Sequence, residues 1–139
     1  MKRMRALGIL AAAFLVTAVA VAQIDTILKA GGIALAVTTF GKDIDKAINN
    51  LTGHKNTNTS TTKVVPILSV GDGGYLGAAQ VMGPKTNVDK VQALAQLEGR
   101  FMGNAVRLRA LIPVSTKTPG KNLAKVDGVA VSAIVDFKL

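Results

Sequence analysis

The stretch Lys63–Pro84, KVVPILSVGDGGYLGAAQVMGP, decides the fold, because it predicts two apolar strands joined by a glycine turn. Its first half is rich in β-branched residues, which are typical of strands. Pro66 argues against a helix and favours an edge or early-strand position, since proline has no N–H to donate to a neighbouring strand. Gly71–Gly74 then reverses the chain, and the second strand runs from Tyr75 to Met82.

The same glycines could belong to a phosphate-binding loop, but their spacing argues against it. A dinucleotide-binding fingerprint needs G-x-G-x-x-G at the start of a helix. Here Gly71 and Gly73 are followed by Leu76 at the place of the third glycine, and no G-K-[ST] motif is present. The turn of a hairpin is therefore the favoured interpretation.

A helix is predicted directly after the hairpin, over Asn87–Glu98. Thr86 followed by Asp89 is similar to a capping box, and Gly99 would end the helix. Apolar residues recur at helical spacing through it: Val88, Val91, Leu94, Ala95 and Leu97. This pattern predicts a helix that covers one face of a sheet.

Two further strands are predicted near the end of the chain, because apolar and polar residues alternate over 106–114 and 129–139. The alternation places Leu108 and Val131 on buried faces. If these strands pair antiparallel, one face holds four charged residues that could form cross-strand ion pairs: Arg107, Arg109, Asp136 and Lys138.

Before the hairpin, residues 23–54 predict an amphipathic helix, since apolar residues recur at helical spacing and Gly53 can end it. Gly31 and Gly32 interrupt the pattern, so this helix either bends or packs closely on another backbone. It could cover the sheet, lie on a membrane or pair with a copy of itself. Residues 55–62 form a polar linker to an α+β unit over 63–139.

The N-terminus predicts export. Lys2, Arg3 and Arg5 precede an apolar run that ends in Ala20-Val21-Ala22, the order of a secretory signal peptide over residues 1–22. An uncleaved membrane anchor is the alternative, although the run is short for a span of about 20 residues. We expect cleavage after Ala22. The mature protein would then be periplasmic or extracellular, and it could be membrane-associated. A bacterial source is expected.

Composition limits the classes of partner. Of 17 basic residues, three lie in the predicted signal peptide, so 14 remain against 8 acidic residues, a balance of +6. This balance favours an anionic partner, such as a lipid headgroup or a cell-envelope polymer. The chain has no Trp, one Tyr and four Phe, so a nucleic-acid partner is not expected, because single strands usually stack on aromatic side chains.

No motif predicts an enzyme, a cofactor or a metal site. The chain has no cysteine, and its single histidine, His54, has no second ligand nearby in the sequence. We instead expect the basic residues to bind the anionic partner, above all those of the long loop 115–128. The predicted binding residues are Lys117, Lys121 and Lys125, helped by Lys85 and Arg100.

Two segments resemble the SYLF family of lipid-binding domains. Gly73-Gly74-Tyr75-Leu76-Gly77 ahead of Gln80 is similar to that family's glycine-rich strand, and Lys125-Val126-Asp127-Gly128 ahead of Ser132 is similar to its last strand. The resemblance implies binding to anionic lipid without catalysis.

The predicted fold is therefore α+β: an amphipathic helix, a linker and a β-β-α-β-β unit with a mainly antiparallel sheet. The predicted function is non-enzymatic binding of an anionic partner outside the cytoplasm. A self-assembling structural subunit of the cell envelope or extracellular matrix, forming a homo-oligomer through the first helix or an edge strand, is the alternative.

Overall fold

The computed structural model describes residues 32–70, 74–117, 119 and 123–137. Helix α1 covers residues 32–52, and a four-residue helix, α2, covers Lys85–Val88. The described residues also form five strands: β1 (Thr61–Ser69), β2 (Tyr75–Gly83), β3 (Ala93–Phe101), β4 (Val106–Val114) and β5 (Ala130–Val135). The predicted signal peptide with its cleavage site lies outside the described residues, as do Lys121 and Lys138.

The α+β class and the hairpin of β1 and β2 are confirmed, but the sheet is mixed rather than mainly antiparallel. Its strand order is β4-β3-β1-β2-β5, with β1 antiparallel to β2 and parallel to β3. The expected edge position of Pro66 is wrong, since β1 is the central strand. Pairing of β1 with β3 begins only at Ile67, directly after the proline.

The predicted helix Asn87–Glu98 is wrong over most of its length, because residues 93–101 form β3. Only α2 is helical there; its N-cap is Pro84, without a side-chain capping bond, so Thr86 does not cap it. Gly99 lies inside β3 opposite Leu108 of β4. Pairing with a strand on either side has overridden the helical spacing of the apolar residues.

The condition set for cross-strand ion pairs between the last two strands is not met, since β4 and β5 lie at opposite edges of the sheet and do not pair. The sheet is curled, and side chains from both edges line one groove on its concave face. In a flat sheet those edges would stand about 19 Å apart, four strand spacings. Arg107, Arg109 and Asp136 therefore do share a groove, although their strands never pair.

Strands β3 and β4 continue beyond the rest of the sheet as a two-stranded extension, residues 97–110, which we call the arm. Only Leu94, Ala95 and Gln96 of β3 pair with β1. Residues 98–110 are all exposed. Leu108, which the alternation placed in the core, is 53% exposed for this reason, and Val131 is only partly buried.

Helix α1 packs on the convex face of the sheet. Of the three positions considered from the sequence (on the sheet, on a membrane or against a copy of itself), the structure has the first. Val37 contacts Val64 and Ala78 in a small apolar cluster. Gly53 ends the helix as predicted: its φ is 74°, and the N–H of His54 donates to the carbonyl of Asn49 over 2.9 Å. This six-to-one bond is a Schellman motif. Strand β1 then begins at Thr61, so the last two residues of the predicted linker, 61 and 62, belong to the strand.

The main core lies on the concave side at the end of the sheet where β1 begins. Strand residues pack there with α2 and with the connection from β4 to β5: Val65, Ile67, Ala79, Val81, Leu94, Val88, Val91 and Val126. A second cluster lies on the convex side, where Leu68 packs with Ala93, Ala95 and Val114. The β4–β5 connection is anchored by a bridge from Lys125 to Val114. It closes one end of the concave face and leaves the other open.

Candidate functional site

The predicted binding residues fall into two regions of the molecule. Lys85 opens α2, while Lys117 and Lys125 lie on the connection from β4 to β5. Arg100 is on the arm, seven residues along β3 from Ala93, which corresponds to about 23 Å of strand. The three lysines therefore lie at the end of the sheet where β1 begins, and Arg100 lies near the other end.

One of the predicted lysines pairs with Asp89, and a second lines a cleft beside it. Lys85 Nζ bonds Asp89 Oδ2 over 2.8 Å, an i, i+4 contact across α2. Lys117 lines a cleft together with Asp89. Asp89 therefore pairs with Lys85 and also lines the cleft that Lys117 lines.

Lys125 and Arg100 make local contacts only. Lys125 Nζ lies 3.7 Å from Asp127 Oδ1, and their side chains are 64% and 89% exposed. Such an exposed pair contributes little to stability. Arg100 Nη1 donates to Asn104 Oδ1 over 3.0 Å, within the same hairpin. Both cations remain accessible from solvent, outside the cleft that Lys117 lines.

The cleft, which we call the lysine cleft, has a volume of about 360 Å³ and lies between α1, the start of β1 and α2. Its polar lining is Thr38, Lys63, Asp89, Gln92 and Lys117. The apolar part of the wall comes from α1 and β1, including Val37 and Val64. Asp89 is the only carboxylate among these lining residues, and it already binds Lys85.

Lys63 is the residue in this cleft that sequence reasoning missed. Its Nζ donates to the backbone carbonyl of Val91 over 2.6 Å, at the end of α2. Burial lowers the pKa of Lys63; Asp89 opposes this effect and the positive charge of Lys117 adds to it. The only signal in the sequence is a single lysine at the head of an apolar strand, where its stem would be covered and its ammonium group held near the strand end.

The arrangement is suited to binding an anion. Two lysines from different elements line one space, and the carboxylate beside them is paired with a third lysine. An anion placed between Lys63 and Lys117 would offset both the burial of Lys63 and its repulsion from Lys117. Ammonium groups act as compact point charges, so phosphate, sulfate and carboxylate groups would all be accepted.

Among the described residues, no three His, Asp or Glu side chains lie close enough together to hold a metal ion. His54 instead contacts the carbonyl oxygen of Ser60 through Nε2 over 3.1 Å. None of the described helices is both long enough and apolar enough to span a membrane.

Comparison with protein-family models, with curated proteins and with solved structures finds no match to this chain. The resemblance to the SYLF family therefore stays a prediction.

Proposed function

We propose that this is a non-enzymatic binding protein that holds an anionic partner in the lysine cleft. One observation carries the proposal: Lys63 and Lys117 line the same cleft, and its one carboxylate, Asp89, is bound to Lys85 at 2.8 Å. The partner we propose is an anionic group displayed on a larger body, such as a lipid headgroup or a cell-envelope polymer. The basic composition and the predicted signal peptide support that setting.

The strength of such binding depends on charge and on salt. A basic residue near an anionic surface contributes about 1 kcal/mol, and salt screens it beyond a Debye length of about 8–10 Å. The partly buried Lys63 is screened less than an exposed lysine. Binding should therefore fall as salt rises, and the remaining affinity should depend most on Lys63 and Lys117.

The test is co-sedimentation of the full chain with phosphatidylglycerol vesicles. A parallel measurement uses inorganic polyphosphate as a soluble anionic ligand. Lys117→Gln should weaken binding about fivefold, the equivalent of about 1 kcal/mol. Lys46→Gln, on an exposed part of α1, removes the same charge away from the cleft and should change little. Equal losses in both variants would mean that net charge rather than the cleft drives binding, and no binding by the wild type would end the proposal.

Substitutions in the β4–β5 connection extend the same test. Lys121→Gln and Lys125→Gln remove the other two predicted loop cations, and Lys125 is exposed beside Asp127. We expect smaller losses from Lys125→Gln than from Lys117→Gln, because only Lys117 lines the cleft. The reverse order would move the site from the cleft to the loop surface.

Self-assembly is the second candidate, and the arm is the feature that favours it. Phe101, Met102 and Leu108 are 59%, 71% and 53% exposed, and β4 is an edge strand. Against edge-to-edge pairing, β4 carries two arginines, Arg107 and Arg109, and pairing two copies of this edge would bring like charges together, which opposes it. Light scattering of the wild type and of Phe101→Ser decides: a concentration-dependent oligomer that the variant loses supports assembly through the arm.

A further inference from the structure

A second cavity lies on the concave face of the sheet, at the end that the β4–β5 connection leaves open. We call it the concave groove; its volume is about 590 Å³. Its apolar lining comes from four strands: Ile67, Leu76, Leu111 and Ile134. Two of these side chains, Leu76 and Ile134, are 51% and 58% exposed, so the groove presents apolar surface to solvent.

Four charged side chains also line the groove, and two of them neutralise each other. Arg107 Nη2 bonds Glu98 Oε1 over 2.8 Å across the β3–β4 pair. Because Glu98 bonds Arg107, Arg109, which lies opposite Glu98 in the register, is left without an ion-pair partner among the described residues.

Asp136 is the fourth charge, and it reaches the groove from the other edge of the sheet, just after β5. Within the described part of the chain it has no ion-pair partner either, and it lies beyond ion-pair distance of Arg109. The groove therefore carries one available cation on its β4 wall and one available anion on its β5 side, with apolar side chains between them.

We propose that the concave groove binds a short apolar peptide with free termini. The peptide's carboxylate meets the Arg109 guanidinium, whose planar fork can bind both carboxylate oxygens. Its terminal ammonium group meets Asp136, and its apolar side chains cover Leu76 and Ile134. This is a binding activity separate from the lysine cleft, since the two sites have no lining residue in common.

Charge complementarity selects this ligand over simpler ones. A plain anion would satisfy Arg109 but leave Asp136 facing the bound negative charge. A fully apolar ligand would leave both charges partly desolvated without a partner. A ligand with opposite charges at its two ends and an apolar body pairs with both Arg109 and Asp136 and also covers the apolar side chains between them. The volume lies within the range of about 300–1,000 Å³ that is usual for small-ligand sites.

Gln96 adds a polar contact suited to a peptide backbone. It lines the groove on β3, and its Nε2 donates to Glu98 Oε1 over 3.3 Å. We expect its side-chain oxygen to accept a hydrogen bond from a peptide N–H. Few polar groups in a mostly apolar site are enough to fix the orientation of a small ligand.

Isothermal titration calorimetry on the full chain tests the proposal with three probes: trileucine, N-acetyl-trileucine and trileucine amide. Trileucine should bind, and blocking either end should weaken binding about tenfold, because a charge-assisted bond is lost each time. In Arg109→Gln, free and amidated peptides should bind equally. In Asp136→Asn, free and acetylated peptides should bind equally.

Matched controls separate this site from the rest of the molecule. Arg100→Gln and Asp43→Asn change exposed charges that do not line the groove and should leave all three affinities unchanged. Lys117→Gln should also bind trileucine normally, so failure of the lysine cleft and failure of the groove are distinguishable. No binding of trileucine to the wild type, or equal binding of free and blocked peptides, overturns the proposal.

Discussion

Gln80 on β2 donates a hydrogen bond from its side-chain nitrogen Nε2 to Oδ1 of Asp45 on α1, over 2.9 Å. The same nitrogen donates to Asn49 Oδ1 over 2.8 Å, and Ser132 Oγ donates to Gln80 Oε1 over 2.6 Å. Gln80 is 1% exposed, so these bonds replace water for the whole amide group. One buried amide thus ties α1, β2 and β5 together.

Replacing this amide should destabilise the fold. Gln80→Leu puts an apolar side chain in place of the amide, so Asn49 Oδ1 and Asp45 Oδ1 each lose the hydrogen bond from Nε2. Ser132 Oγ loses its bond to Oε1 and keeps only the longer one to the backbone carbonyl of residue 80. We expect a loss of about 1–3 kcal/mol in the free energy of unfolding, measured by urea denaturation. Gln92→Leu, at an exposed position, is the control and should cost less than about 0.5 kcal/mol. Equal costs would mean that the network adds nothing.

Leu94 and Leu108 allow the buried core to be compared with the exposed arm. Leu94 is fully buried in the main core, whereas Leu108 on the arm is 53% exposed. Leu94→Ala should cost about 2–5 kcal/mol, since it leaves a cavity. Leu108→Ala should cost less than about 0.5 kcal/mol. Urea denaturation of the two variants measures both values, and a large cost at Leu108 would place a covering partner on the arm.

Two strand glycines, Gly83 on β2 and Gly99 on β3, should differ in their tolerance for a side chain. A Cβ at Gly83 would stand 2.5 Å from the carbonyl oxygen of Gly128, while nothing lies within 4 Å of one at Gly99. Gly83→Ala should therefore cost about 1–3 kcal/mol, as overpacking usually does. Gly99→Ala should be neutral or slightly stabilising. Thermal unfolding followed by circular dichroism compares them, and equal melting temperatures would contradict the close approach.

Lys63 should make stability depend on alkaline pH. Its pKa in the folded protein is lowered below 10.5, chiefly by burial, so the unfolded chain holds the proton to higher pH than the folded one. Between the two pKa values the unfolded state binds more protons, and raising the pH stabilises the fold. As the pH rises toward the unfolded value of 10.5, the free energy of unfolding should therefore rise more steeply in the wild type than in Lys63→Met. Parallel curves would show that Lys63 titrates normally.

Local pattern was enough for the strands that a turn or strict alternation marks. The β-branched run before Gly71 and the glycines that follow it identify β1 and β2, and alternation identifies β4 and β5. It failed for β3, where alanine, leucine, glutamine and glutamate all favour a helix and the apolar residues also fit its period. The strand forms because β1 and β4 pair on either side of it, which no local window contains.

The candidate sites depended even more on distant contacts. Lys117 was predicted from its position in a basic loop, but its neighbour Lys63 lies 54 residues earlier in the chain. Arg109 and Asp136 were expected to meet through strand pairing and instead share a groove because the sheet curls. Residue type predicted which side chains carry charge, and only the path of the chain decides which of them face one another.

The place of β5 at the end of the strand order has a consequence for assembly. The two hairpins, β1–β2 and β3–β4, join strands adjacent in sequence and can form locally in about 1–10 μs. Among the described strands, β5 pairs with β2 alone and is the last in sequence, so this edge of β2 stays open until residues 130–135 have been made. During that interval the edge Ala78–Met82 can accept the β5 of a neighbouring molecule in place of its own. Strand exchange between nascent chains is therefore the characteristic misfolding hazard of this topology.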